Sequence, residues 1–327
     1  MTATLRRRAL LGAASLPLLP GLARAQSDWP SRPVRIIVPF PPGQAADIFT
    51  RLVAEELSKR WPHRVVVENR AGGAGAPALE AGARAAPDGY TLITGTSGTL
   101  AVNPSVLPRL PYDAERDFAP ISNIFIAPLV LLAHPAQPFQ TVAAFAEAAR
   151  ARPGALDSAT AGPATAQHMA TELLMLRTGL RLNLVHYRGS GPGITDLIAG
   201  NVPLMMDSVA SALPHIRSGR ARALAVTTRA RISALPDVPT FAETLVPGYE
   251  AVGWSGLVAP AATPAPIIAR ISADVGAILR EPAIVRRIEE MGAVADPNTP
   301  EQYAAFIRSE IAKWREVARA ANVRLDG

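Results

Sequence analysis

Val34-Arg35-Ile36-Ile37-Val38-Pro39-Phe40-Pro41-Pro42-Gly43-Gln44-Ala45-Ala46-Asp47 is the stretch on which the fold turns. Four β-branched apolar residues around Arg35 run into a proline- and glycine-rich turn, and apolar residues at helical spacing follow from Ala45 to Arg60. The pattern then repeats, with strand-like Arg64 to Glu68, helical Leu79 to Ala86 and strand-like Tyr90 to Thr94. This βαβαβ order is the mark of a parallel sheet with helices on its faces. In such sheets ligands bind at the carboxyl ends of the strands, where helix starts offer unpaired N–H groups and a partial positive charge.

A second series begins at Leu129 to Ala133. Helical Thr141 to Arg150, strand-like Ser158 to Ala161, helical Ala166 to Thr178 and strand-like Leu184 to Tyr187, Leu204 to Asp207 and Ala223 to Thr227 follow. An extended Ala251 to Ala259 leads into helical segments near Ile267 to Arg280, Ala283 to Met291 and Pro300 to Ala320, which have no strands of their own to cover. They are expected to pack back on the first sheet. The expected fold is therefore α/β, with two mostly parallel sheets flanked by helices and two crossing strands, Leu129 to Ala133 and Ala251 to Ala259. The expected division is residues 26–130 plus 255–327 as a discontinuous first domain and 131–254 as the second, with a ligand cleft between them.

Residues 1–25 read as an export signal. Arg6, Arg7 and Arg8 precede an apolar run from Ala9 to Leu22, and Ala23-Arg24-Ala25 has the spacing a signal peptidase cuts. The run is too short to span a bilayer, which needs roughly 20 residues. Arg7-Arg8-Ala9-Leu10-Leu11 leaves both the general secretory and the twin-arginine route open. The expected location is the periplasm.

Removing residues 1–25 takes away four arginines and no acid, so the formal charge falls from +6 to +2. The arginines are scattered among acids with few aromatics between them, which argues against a nucleic-acid partner. There are no cysteines, so disulfides, thiolate metal sites and a cysteine nucleophile are excluded. About 300 mature residues exceed what one core normally supports. Surface arginines without apolar tails point to a monomer.

Motifs for chemistry are missing. The first turn has no Gly-Lys-Ser/Thr of a phosphate loop and fails the dinucleotide glycine spacing, so no cofactor is expected. Gly253-Trp254-Ser255-Gly256 has its second glycine one position too early for a hydrolase elbow. His63, His134, His168, His186 and His215 never pair at zinc-ligand spacing, and no metal is expected. The chain is expected not to be an enzyme, an exported hydrolase being the weakest alternative.

The binding candidates lie at strand-to-helix turns. In the first turn Gly43 makes the bend, and Asp47 either favours the helix start or meets a ligand. Thr96, Ser97 and Thr99 offer hydroxyls after the third strand. Gly162-Pro163-Ala164-Thr165 repeats the arrangement before a helix carrying His168, either a helix-flank hydrogen bonder or a ligand contact. Asp207 closes its strand as a lone carboxylate in need of a partner.

From Trp29 to its end the chain resembles the periplasmic solute-binding proteins of tripartite tricarboxylate transporters, the Bordetella uptake gene family. The matching stretches include Ile36 to Pro41, Val65-Val66-Val67-Glu68-Asn69-Arg70, Pro87-Asp88-Gly89-Tyr90-Thr91-Leu92, Asn103-Pro104-Ser105, Leu110-Pro111-Tyr112-Asp113, Thr195-Asp196-Leu197-Ile198 and Leu235-Pro236-Asp237-Val238-Pro239-Thr240. The resemblance implies a type II-like Venus-flytrap fold that closes on a small organic carboxylate and delivers it to a membrane permease. Docking on a membrane sensor is the alternative. It also implies binding through Phe40, Pro41, Gly43, Gln44 and Asp47, and through Thr96, Ser97 and Thr99, largely by backbone N–H groups and bridging waters. Gly162, Ala164, Thr165, His168 and Asp207 would face the other end of the ligand. The chain departs from the family pattern at Gln44 and Ala46, where glycine and threonine are usual, and at Leu100 and Met206, where histidine and phenylalanine are common.

Overall fold

The computed structural model describes residues 29–187 and 189–325. The export signal of residues 1–25 lies outside the described residues. Along the first part of the chain run β1 (Val34–Val38), α1 (Ala45–Arg60), β2 (Val65–Asn69), α2 (Ala76–Ala83), β3 (Thr91–Thr96), a π-helical turn (Ser97–Val102), α3 (Asn103–Val106) and β4 (Phe118–Ala133). Then come α4 (Val142–Ala151), β5 (Asp157–Thr160), α5 (Ala166–Thr178), β6 (Asn183–His186), α6 (Ser190–Ala199), β7 (Leu204–Ser208), α7 (Val209–Arg217) and β8 (Arg222–Val226). The chain closes with α8 (Phe241–Thr244), β9 (Val252–Pro260), α9 (Ala265–Leu279), α10 (Pro282–Glu290), β10 (Val294–Ala295) and α11 (Pro300–Ala320). No described helix is long and apolar enough to cross a membrane.

Two sheets share one strand. In the first, β2, β1 and β3 are parallel neighbours, and β9, β4 and β10 extend them antiparallel. In the second, β6, β5 and β7 are parallel, and β4 and β8 are added antiparallel. Residues Phe118–Pro128 of β4 pair with β9, whereas Leu129–Ala133 pair with β7 and β8. The chain crosses again before β9, where the Ala251 N–H donates to the Thr227 carbonyl. Each sheet is thus more mixed than the βαβ pattern suggested, because the crossing segments enter antiparallel.

Local chemistry accounts for most element ends. In α1, Phe49, Leu52, Val53 and Leu57 are buried on one face, Asp47 lies in the first turn, and Lys59 and Arg60 occupy the last, complementing the helix dipole. Helix α5 stops at Gly179, whose φ of 69° closes it with an N–H bond to the Met175 carbonyl. A Thr299–Gln302 capping box with Pro300 in the first turn starts α11. The short α3, α8 and β10 went unread, as did three longer stretches: the first part of β4, α6 and α7. Pro120 and Pro128 interrupt the strand pattern of β4, and Ser190-Gly191-Pro192-Gly193 and Pro214 mask the two helices.

The late helices divide their packing. Ile268, Ile271, Val275, Ile284 and Ile288 of α9 and α10 share one core with Val34, Ile36 and α1 on the first sheet. Tyr303, Ile307, Ile311 and Trp314 of α11 instead join a core that runs from Ile93 and Leu100 to Leu173 and Leu174 of α5, so α11 spans both sheets. A separate cluster with Val130, Leu197, Met205 and Val209 fills the second sheet's other face.

Gly256 of β9 lies close against the backbone of β4. A Cβ there would collide with the Ser122 carbonyl and lie 2.5 Å from Tyr303 Oη and 2.7 Å from Asn123 Cα. Gly256→Ala is therefore expected to lower the unfolding free energy by about 1–3 kcal/mol or more in a urea titration. Gly191→Ala, with open space around the new methyl, serves as the control and should leave stability unchanged or slightly raised.

Candidate functional site

A cavity of about 330 Å³ lies where the two sheets meet. Its first wall is built from Phe40 and Gln44–Ala46 at the start of α1, Ala74, Thr96–Gly98 and Asn103. Pro163–Ala166 at the start of α5 form the opposite wall. Phe125 and Ala127 of β4 and Gly253–Ser255 of β9 make the floor, and Leu325 closes one side.

Each wall is held from behind by polar groups. The Asp47 carboxylate accepts from the Gly43 N–H at 2.9 Å, from Arg51 Nε at 2.9 Å and from Asn69 Nδ2 at 2.8 Å. Asn69 also donates to the Phe40 carbonyl. This buried acid therefore folds the first turn onto α1. Burial works to raise its pKa, but the bonds from Arg51, Asn69 and the Gly43 N–H outweigh that and hold the carboxyl below its ordinary value. Thr96 and Thr99 form a reciprocal capping box that fixes the π-helical turn, and Asn103 Nδ2 donates to the Ala74 carbonyl.

On the second wall, Thr165 caps α5 by accepting from the His168 N–H, and its hydroxyl donates to the Gly162 carbonyl at 2.7 Å. Ala164 sits at a φ of 55°, in the left-handed region. Its N–H donates to His168 Nδ1 at 2.9 Å, so that nitrogen is the unprotonated acceptor of the ring. His168 Nε2 lies 3.3 Å from Glu172, and its ring packs edge-on against His186. Burial, and secondarily His168, push the pKa of His186 down. The floor is anchored through Trp254, whose indole donates to Glu310 of α11 at 2.9 Å. Trp314 donates to the same Glu310 oxygen, and Lys313 pairs with this buried carboxylate.

Among the described residues none that lines the cavity is charged. What the cavity offers instead is helix starts, from α1, the π-helical turn and α5. The first-turn N–H groups of a helix have no intrahelical partner and carry part of its positive dipole. Such a site can hold an anion by oriented amides without a fixed cation. Among the described residues no group of three or more His, Asp or Glu side chains could hold a metal ion.

The sequence profile of the tripartite tricarboxylate transporter family receptor matches residues 49–323. The chain belongs to this receptor family. Protein BugT of Bordetella pertussis is 37% identical over 298 residues, covering 91% of each chain. Among solved structures, an R. palustris protein with adipate is 35% identical with a TM-score of 0.80, covering 91% of this chain and 99% of that one. MatC from Rhodopseudomonas palustris with bound malate is 32% identical with a TM-score of 0.75, covering 88% and 99%. These receptors share its two-domain α/β architecture.

In this receptor all the expected site residues but Pro41 and Asp207 fall into two groups. Phe40, Gln44, Thr96, Ser97, Ala164 and Thr165 line the cavity. Gly43, Asp47, Thr99, Gly162 and His168 stand behind it and hold the lining turns in shape. Pro41 is exposed and does not line it. Asp207 is fully buried off the lining and accepts from Ser190 Oγ at 2.5 Å, the Ser208 N–H at 2.8 Å and Gln167 Nε2 at 3.4 Å. Burial raises its pKa against those bonds. Leu100 and Met206 are core residues. Lining residues that went unread include Asn103, Phe125, Trp254, Ser255 and Leu325. Gly253-Trp254-Ser255-Gly256 carried the signal for two of them, since a polar residue inside an apolar strand calls for a partner.

Asp47→Ala should cost about 1–3 kcal/mol at pH 7, through loss of the charge-assisted hydrogen bonds that the buried carboxylate accepts from Gly43, Arg51 and Asn69. Because the folded-state pKa is depressed, the carboxylate's contribution is fully present above the ordinary value of 3.8. It is lost as pH falls through the lower folded value. Urea titrations from pH 7 to pH 2.5 should therefore show wild type and variant converging only below about 3.8.

Proposed function

We propose that this receptor captures a small organic carboxylate in the cavity between its sheets, outside the cytoplasmic membrane, and delivers it to a membrane permease of the tripartite type. The observation that carries this reading is the convergence of three helix starts on a cavity whose described lining residues include no charged side chain. Adipate and malate in the two solved relatives support it. Charge-assisted hydrogen bonds contribute about 1.5–3 kcal/mol each. Three or four of them reach roughly −8 kcal/mol, the level of a micromolar site.

On this reading residues 26–130 plus 255–327 form one lobe and 131–254 the other. The lobes hinge where β4 changes sheets at Pro128 and Leu129 and where the chain returns at Ala251. Phe40, Gln44, Thr96, Ser97, Ala164 and Thr165 meet the ligand, and residues 1–25 export the chain, which works as a monomer.

A thermal-shift screen of residues 26–327 against mono-, di- and tricarboxylates tests the proposal. An acid at 100 times its dissociation constant should add about 2.7 kcal/mol, a shift of several degrees. Stabilisation by uncharged or cationic solutes with none by any acid would overturn it.

A further inference from the structure

We infer that the acid carries a single carboxylate, seated on the first wall with the Ser255 hydroxyl as one of its donors, and an otherwise apolar body. This rests on the carboxylate reading above. The two walls differ in how many donors they have left to give. On the first, Gln44 does not cap α1 with its side chain. Apart from the Thr96 and Thr99 N–H groups bound in the capping box, the amides at Ala45, Ala46, Ser97 and Gly98 donate to no protein group among the described residues. On the second, Pro163 has no N–H. The Ala164 N–H is bound to His168, the Thr165 N–H and hydroxyl are both turned to the Gly162 carbonyl, and of the described lining residues only Ala166 keeps a free N–H.

Ser255 is the independent observation. It is 1% exposed, and its Oγ has no hydrogen-bond partner. The strand register sets it directly opposite Thr96 of β3 and Phe125 of β4. Opposed residues project from the same sheet face, so this hydroxyl stands beside the π-helical turn. The Thr96 hydroxyl is already engaged with Thr99. A buried, unpaired hydroxyl is costly, and a carboxylate oxygen on the first wall removes that cost. A second carboxylate would lie against Trp254, Leu325 and the second wall, where the described residues leave one free amide, and a charge so poorly supplied with donors is disfavoured.

Isothermal titration of the mature chain with phenylacetate, hexanoate, malate and citrate, and with phenylacetamide as the neutral counterpart, tests the inference. Phenylacetate or hexanoate should bind at least tenfold tighter than malate and citrate, with the negative heat-capacity change of apolar burial. Ser255→Ala should weaken that binding about tenfold, and Ser255→Thr, which keeps a hydroxyl, should weaken it less. Tighter binding of malate or citrate, or an unchanged affinity in Ser255→Ala, overturns the single-carboxylate inference alone. Phenylacetamide binding as well as phenylacetate, or no heat from any acid, overturns the carboxylate reading itself.

Discussion

Sixteen residues of continuous strand, Phe118–Ala133, belong to two sheets at once, and the site depends on that sharing. A strand paired with β9 along one stretch and with β7 and β8 along the next sets both sheets in register with each other. The carboxyl ends of β1 and β3 then lie across from the start of α5, each wall contributed by a different βα unit. Phe125 and Ala127 of the same strand pave the floor between them. Helix α11 reinforces the arrangement through a core that reaches from the first sheet to α5.

On the proposed reading, the described lining prepares for an anion with helix-start amides and no cationic side chain. A lysine or arginine in a pocket must be desolvated whether or not ligand is present, at a cost of several kcal/mol. Helix-start amides are already fixed by the fold and carry partial rather than full charge. The polar residues with full charges, Asp47 and Glu310, are set one layer back. There they fix the first turn and the indole of Trp254. His168, acting as a neutral acceptor for the Ala164 N–H, does the same for the opposite wall.

This layering explains which site residues could be read early and which could not. Gly43, Asp47 and Gly162 are conspicuous in the sequence because turns need them, yet they shape the site from behind. Gln44, Ala164 and Ala166 contribute mainly backbone, which any side chain supplies, so residue type carries little signal there. Ser255 and Trp254 sit in a strand that reads as core throughout, and only the cross-strand register exposes one hydroxyl without a partner. Asp207 was expected at the ligand because a lone buried carboxylate needs a partner. Ser190, at the start of an unread helix, Ser208 and Gln167 all donate to its Oδ1, while its buried Oδ2 has no partner among the described residues.

The sequence by itself determined the βα units, the strand-to-helix turns, the absence of thiol chemistry and the membership of a receptor family, because these depend on local periodicity, turn residues and composition. Tertiary structure alone decided that one strand serves both sheets, that the described cavity lining carries no charge, and that most donors on one wall are engaged while several on the other are free. These depend on pairing register and on hydrogen bonds between residues far apart in the chain. Local pattern does not encode such distances.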